Sequence, residues 1–105
     1  MYVDQGIQYV YYCFVINEFL LKDFGQRIKM LRTKENLSQE ALAASTGFHR
    51  TYIGMIERGE RNISLINIAV FAKVFEMSVS ELLDLNNVEG SRTFKDYELK
   101  VETNV

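Results

Sequence analysis

The stretch SQEALAASTGFHRTYIGMIERG, residues 38–59, decides how this chain folds. Ser38 is a residue type that caps helices, because its hydroxyl accepts a bond from a backbone amide of the first turn. Leu37 before it and Leu42 inside the helix are spaced as a hydrophobic staple. Gly47 follows Ala43, Ala44 and Ser45 where a chain leaving a helix turns left-handed at little steric cost. A new helix is then expected from about His49 to Arg58. At 100° per residue, Ile53 and Ile56 share one face with His49 and Glu57 at its edges, while Thr51, Gly54, Met55 and Arg58 share the opposite face. That outward face holds one full charge and two small residues, fewer charges than a face that only meets water. Gly54 in mid-helix costs about 1 kcal/mol relative to Ala, so it implies tight packing or the approach of another surface.

Helical signals continue on both sides. Upstream, Phe24, Ile28 and Leu31 recur at i, i+4, i+7 and form an apolar stripe in a helix that ends near Glu35 and Asn36. Downstream, Ser64 is the cap of a fourth helix, with Ile63 and Ile68 as a second staple. Leu65, Ile68, Ala69, Ala72 and Phe75 are read as its core stripe. Ile66, Val70, Phe71 and Val74 spill beyond it, and a second copy of the chain is the expected cover. Ser78 and Glu81 form a capping box that opens a fifth helix with Leu82, Leu83 and Leu85. The chain of 105 residues contains no proline. The fold class expected is all-α: five helices over residues 22–86 with a helix-turn-helix at the centre. Residues 1–21 are an apolar N-terminal extension whose run from Tyr9 to Ile16 reads as a strand, a helix or an upstream extension of the reading frame. Residues 87–105 read as a polar tail or a weak edge strand.

Composition narrows the chemistry. Cys13 is the only cysteine and His49 the only histidine, so no internal disulfide, cysteine-rich zinc site or convincing nucleophile triad can be assembled. A buried apolar role suits Cys13 better than redox sensing. The expectation is a protein that is not an enzyme and needs no cofactor or metal. Ile7 to Leu21 is interrupted by Gln8, Asn17 and Glu18 and falls short of the roughly 20 apolar residues a membrane span needs. No basic N-terminal region suggests a secretory signal, and the expected location is the cytoplasm. The net charge of -2 argues against nucleic acid until its distribution is examined. Between Lys22 and Ser64, eight Lys or Arg face five acids, whereas the remainder holds four bases and nine acids. Positive charge is concentrated around the central helices.

The stretch LSQEALAASTGFHRTYIGMIERGERNISLINIAVFAKVFEMSVSELL resembles the phage-repressor-like, Xre-type helix-turn-helix family over roughly Phe24 to Leu85. The markers are Gln39 just after the cap, Ala43, Gly47 in the turn, Ile53, and IERG at Ile56 to Gly59. Within it, RTYIGMIERGERN at Arg50 to Asn62 is most similar to the controller proteins of restriction-modification systems. The resemblance implies a lambda-repressor-like domain, a homodimer that regulates transcription on an operator of two half-sites, and a structural pair of Arg32 with Glu57. His49 departs from the Ser, Thr, Asp or Asn usual at its capping position, although a neutral imidazole can accept the same amide.

In that geometry the third helix enters the major groove with its N-terminal residues nearest the bases. Arg50, Thr51 and Met55 are the candidate base contacts, because a guanidinium bonds guanine O6 and N7 bidentately, and a threonine or methionine meets a thymine methyl. Gln39, His49, Tyr52, Arg58, Arg61 and Asn62 are the candidate backbone contacts. Met55 and Tyr52 have a second reading as partial cover of the core. The partners expected are double-stranded DNA, a second copy and, as a further candidate, RNA polymerase. The competing readings are a phage-type repressor, an antitoxin regulator, or a protein-interaction module on the same fold.

Overall fold

Ser38, Ser64 and Ser78 start three of the helices in the computed structural model, which describes residues 5–87 and side chains from 19 to 86. The order is α1 (Gln5–Lys34), α2 (Gln39–Thr46), α3 (Arg50–Glu57), α4 (Leu65–Val74) and α5 (Val79–Leu82), closed by a 3-10 turn at Leu85–Asn87. Among the described residues there is no strand, as expected for an all-α chain. The Ser38, Ser64 and Ser78 hydroxyls accept from the amides of Ala41, Asn67 and Glu81 at 3.0, 3.1 and 3.0 Å. Glu81 completes the capping box by accepting the Ser78 amide at 2.7 Å.

The N-terminal run from Tyr9 to Ile16 is helical and continuous with the helix expected from about residue 20, so α1 begins at Gln5. The tail beyond residue 87 and the side chain of Cys13 lie outside the described residues. Among the described residues no helix is long and apolar enough to cross a membrane.

Three helices close with the same backbone motif. Asn36, Gly59 and Glu76 take φ of 58, 74 and 56°. In each case the next amide returns to the carbonyl five residues back: Leu37 to Arg32 at 3.0 Å, Glu60 to Met55 at 2.9 Å, Met77 to Ala72 at 2.9 Å. These are Schellman closures, which satisfy carbonyls the helix end leaves open. Gly47, at φ 81°, ends α2 with a single bond from its amide to Ala43.

The core is built from Phe24, Ile28 and Leu31 of α1, Leu42 and Ala43 of α2, Ile53 and Ile56 of α3, Phe71, Ala72 and Phe75 from α4, and Leu82 of α5. Phe48 in the turn between α2 and α3 packs on Phe71 with ring centroids 5.3 Å apart. The core stripe of α4 differs from the expected one. Phe71, Ala72 and Phe75 face inward with Ile68 partly buried, whereas Leu65 and Ala69 are exposed. Ile68, Ala72 and Phe75 keep the inward side while Phe71 replaces Leu65 and Ala69, because an element apolar nearly all round has no polar face to set its orientation.

Candidate nucleic-acid interface

The orientation of α3 is set at its C-terminal end, by side chains and by backbone together. Glu57, its last residue, has a side chain only 4% exposed. Arg32 of α1 donates to it twice, Nε to Oε2 at 2.6 Å and Nη2 to Oε1 at 3.0 Å, and gives Nη1 to the Leu37 carbonyl at 2.8 Å. Gln39 of α2 donates Nε2 to the same Oε1 at 3.1 Å. One carboxylate therefore ties three helices. Removing either charge would leave the other buried and unpaired, a loss of about 3–5 kcal/mol. The Glu57 bonds hold the Arg32 guanidinium still more firmly protonated than usual, against the opposing effect of its burial.

Gly25 completes the mount. A Cβ there would run into the Ile56 carbonyl oxygen and lie 2.8 Å from that of Glu57, so α1 meets the end of α3 main chain to main chain. Gly59 is similarly close to α1, with a Cβ 2.8 Å from Lys22 Cγ. Arg27 fastens the far side, donating Nε to the Leu82 carbonyl at 3.1 Å and Nη2 to that of Glu81 at 2.7 Å. Neither Gly25 nor Arg27 is marked in the sequence by any local signal, since each acts across the tertiary fold.

At the other end of α3, Arg50 and Thr51 are exposed at its first two positions. His49 precedes them as the cap, with Nδ1 accepting the Thr51 amide at 3.1 Å, so this ring nitrogen carries no proton. Arg50 Nε lies 2.7 Å from Glu40 Oε2 of α2. The Glu40 carboxyl is held below the usual carboxylate range, chiefly by its own backbone N–H at the open turn of α2 and next by Arg50. Met55 is half-buried, between its two expected roles.

Gly54 corrects the wheel: it is buried rather than outward. A Cβ on it would stand 3.1 Å from Arg58 Nη1 and 3.8 Å from Gln39 Oε1. The protein itself thus lies close over this position, through the mobile end of an exposed arginine side chain. Arg58 itself is exposed and bound at Nε and Nη2 by Glu60, at 2.9 and 3.2 Å. That pairing holds the Glu60 carboxyl below its ordinary range.

Tyr52 is half-buried, in keeping with its reading as partial cover of the core. Its ring stands edge-on to Phe48 with centroids 5.2 Å apart, and its hydroxyl accepts from Asn67 Nδ2 at 2.9 Å, which leaves the hydroxyl proton to donate. Arg61 lies over the ring, with its guanidinium carbon 5.5 Å from the centroid. Asn62 is exposed and borders a different feature, an apolar groove of about 390 Å³ lined by Leu20, Leu21, Phe24 and Leu83. Gln39 has its side-chain nitrogen engaged by Glu57 and its carbonyl oxygen near Gly54, and its backbone N–H is in the first turn of α2. Among the described residues no cluster of His, Cys, Asp or Glu could hold a metal.

Known proteins of the same build give this geometry a context. The control protein C.BamHI of Bacillus amyloliquefaciens is 46% identical over 66 residues, covering 62% of this chain and 82% of the relative. The control protein C.SmaI of Serratia marcescens is 43% identical over 82 residues, 74% of this chain and 93% of the relative. Among solved structures, the restriction-modification controller protein C.AhdI from Aeromonas hydrophila superposes with a TM-score of 0.57 at 48% identity, covering 59% of this chain and 94% of that one. The helix-turn-helix family pattern matches residues 28–82, from the last two turns of α1 to the end of α5. On the helices, the turn and these likenesses together, the chain belongs to the Xre-type helix-turn-helix family of DNA-binding transcription regulators.

Proposed function

We propose that this chain is the controller of a restriction-modification system, a cytoplasmic homodimer that binds a two-half-site operator and regulates transcription there. The observation that carries the reading is the exposure of Arg50 and Thr51 at the N-terminal end of α3, the end that enters a major groove, on a helix clamped by Arg32, Gln39 and Glu57. Arg50 is the base reader, with Thr51 beside it and Met55 farther along. The Gln39 amide at the start of α2, His49, Tyr52, Arg58, Arg61 and Asn62 take the phosphates. The control proteins C.BamHI and C.SmaI support the assignment by likeness. RNA polymerase is the further partner where the bound dimer activates.

Leu65 and Ile66 support a dimer, since they are 70% and 76% exposed on neighbouring positions of α4. Side chains of that size are left in water at a cost of about 1.5–3 kcal/mol each relative to burial, which a second copy recovers.

The test is selection of duplexes from a randomised library by the wild-type protein, followed by footprinting on the DNA upstream of its own gene. The expected outcome is one recurrent pair of half-sites a helical turn apart. Affinity for it should fall with salt by about 0.9 log units per log unit for each phosphate neutralised. Arg50→Ala should weaken the selected site by about 1–3 kcal/mol more than random DNA. Equal loss on both would move Arg50 to the phosphate contacts, and no enrichment at all would favour a protein-interaction module.

A further inference from the structure

Glu40 and Arg50 lie on different helices, and their meeting has no local cause. It arises because the turn at Gly47 to His49 brings the first turn of α2 beside the first turn of α3. The ion pair at 2.7 Å is exposed, with 64% of the Glu40 side chain and 59% of the Arg50 side chain accessible. An ion pair so open to water adds little to folding stability. Its effect is on where the guanidinium points.

A guanidinium offers two edges for bidentate bonding: one made of Nε with a terminal nitrogen, the other of the two terminal nitrogens. Glu40 stands at Nε and so occupies the first. The second remains available for two parallel bonds to guanine O6 and N7. Arg58 is held on the same edge, with Glu60 bonded to its Nε and its Nη2. Of the two, Arg50 is the one in the first turn of α3, at the helix end that would meet the bases.

We propose that Glu40 is a positioning residue for sequence reading: it holds the Arg50 guanidinium by Nε, presents the terminal N–H pair to a guanine, and keeps that guanidinium off phosphate. The proposal rests on Arg50 being the base reader. Two effects follow from one carboxylate. Ordering a long side chain before binding removes a cost of about two- to tenfold in affinity, and this benefits the complex in which Arg50 is used in that one conformation. Repulsion between carboxylate and phosphate acts most strongly where Arg50 would close onto the DNA backbone, as it would on random sequence carrying one charge per about 1.7 Å of axis. Guanine O6 and N7 are neutral acceptors and meet less of that repulsion. Glu40 thus lowers the wrong mode more than the right one, which is how a like charge creates specificity.

The experiment is a double-mutant cycle on full-length chains: wild type, Glu40→Gln, Arg50→Ala and the pair. The probes are a duplex selected by the wild type, the same duplex with the Arg50-dependent guanine pair replaced, and a random duplex. Glu40→Gln is expected to raise affinity for random DNA and to lower discrimination at that one base pair by about three- to tenfold, leaving other positions unchanged. In the Arg50→Ala background the same change should no longer alter discrimination there. Glu40→Asp, which keeps the charge on a shorter arm, should retain the low random-DNA affinity and recover discrimination only in part. Equal weakening on all three duplexes would make Glu40 a structural residue and overturn the proposal. So would an undiminished effect of Glu40→Gln without Arg50. A wild type that selects no sequence would instead overturn the reading of Arg50 itself, and is seen before any variant is measured.

Discussion

At the residue scale, the reading helix is held by contacts that tolerate no substitution and armed with side chains that do. Gly25 is the strictest point. Alanine there gains about 1 kcal/mol of helix propensity but drives a methyl into the Ile56 and Glu57 carbonyls. The expected net loss is about 2–3 kcal/mol, read from the urea midpoint, with weaker operator binding in the fraction that remains folded. A Gly25→Ala protein of unchanged midpoint would mean that α1 can shift freely against α3. Helical periodicity displayed Thr51 on the outward face, and Arg50 was found from its place at the helix start. The sequence concealed Gly25, Arg27 and the pairing of Glu40 with Arg50, whose partners are named only by the tertiary fold. Gly54 was legible as an anomaly but not in its cause, since its neighbours Arg58 and Gln39 approach from the next turn and from another helix.

Elements were legible wherever their ends carry local chemistry. Ser38, Ser64 and Ser78 cap as their positions imply, because a hydroxyl and an amide within one turn need nothing else. The orientation of α4 was not legible: with apolar side chains almost all round it, only the depth of the Phe71 pocket chooses the inward face. The ends supply two predictions. Glu76 closes α4 at φ 56°, where a side chain is strained by about 1–2 kcal/mol, so Glu76→Gly should stabilise the protein by about 0.5–1 kcal/mol after glycine's own entropy is subtracted. Thermal unfolding checks it, and a lowered midpoint would show that the Glu76 side chain itself contributes.

The second concerns acid. Glu81 is held below the usual carboxylate range, first by the Ser78 backbone N–H and then by the Ser78 side chain. Glu40 and Glu60 are lowered as well. A carboxyl whose folded pKa lies below its unfolded one adds stability that is complete above the unfolded value and disappears as pH falls through the folded value. Stability should therefore be level in this respect above about pH 5 and decline below about pH 4. Glu81→Gln should flatten part of that decline in urea titrations across this range, whereas a wild-type curve with no acid slope would contradict the cap geometry.

For the whole molecule, the exposed pair Leu65 and Ile66 defines the side on which a second copy is expected. Leu65→Asp combined with Ile66→Asp should halve the mass measured by sedimentation and remove the dependence of the unfolding midpoint on protein concentration that association confers. Operator affinity should then fall toward that of a single half-site. A double variant that keeps the mass of two chains would move the interface elsewhere. In the residues themselves a second copy is foreshadowed as surplus apolar surface, because a helix reports that it needs covering without reporting by what.

Where α1 touches α3 at Gly25, two main chains abut with no rotamer between them to adjust. The angle of α3 is thus built into the frame, while on the proposed function the letters read would depend on a few replaceable side chains at the tip. A designer seeking a new target sequence would exchange Arg50 and Thr51 and leave the socket alone; a new angle of attack would require a different socket altogether.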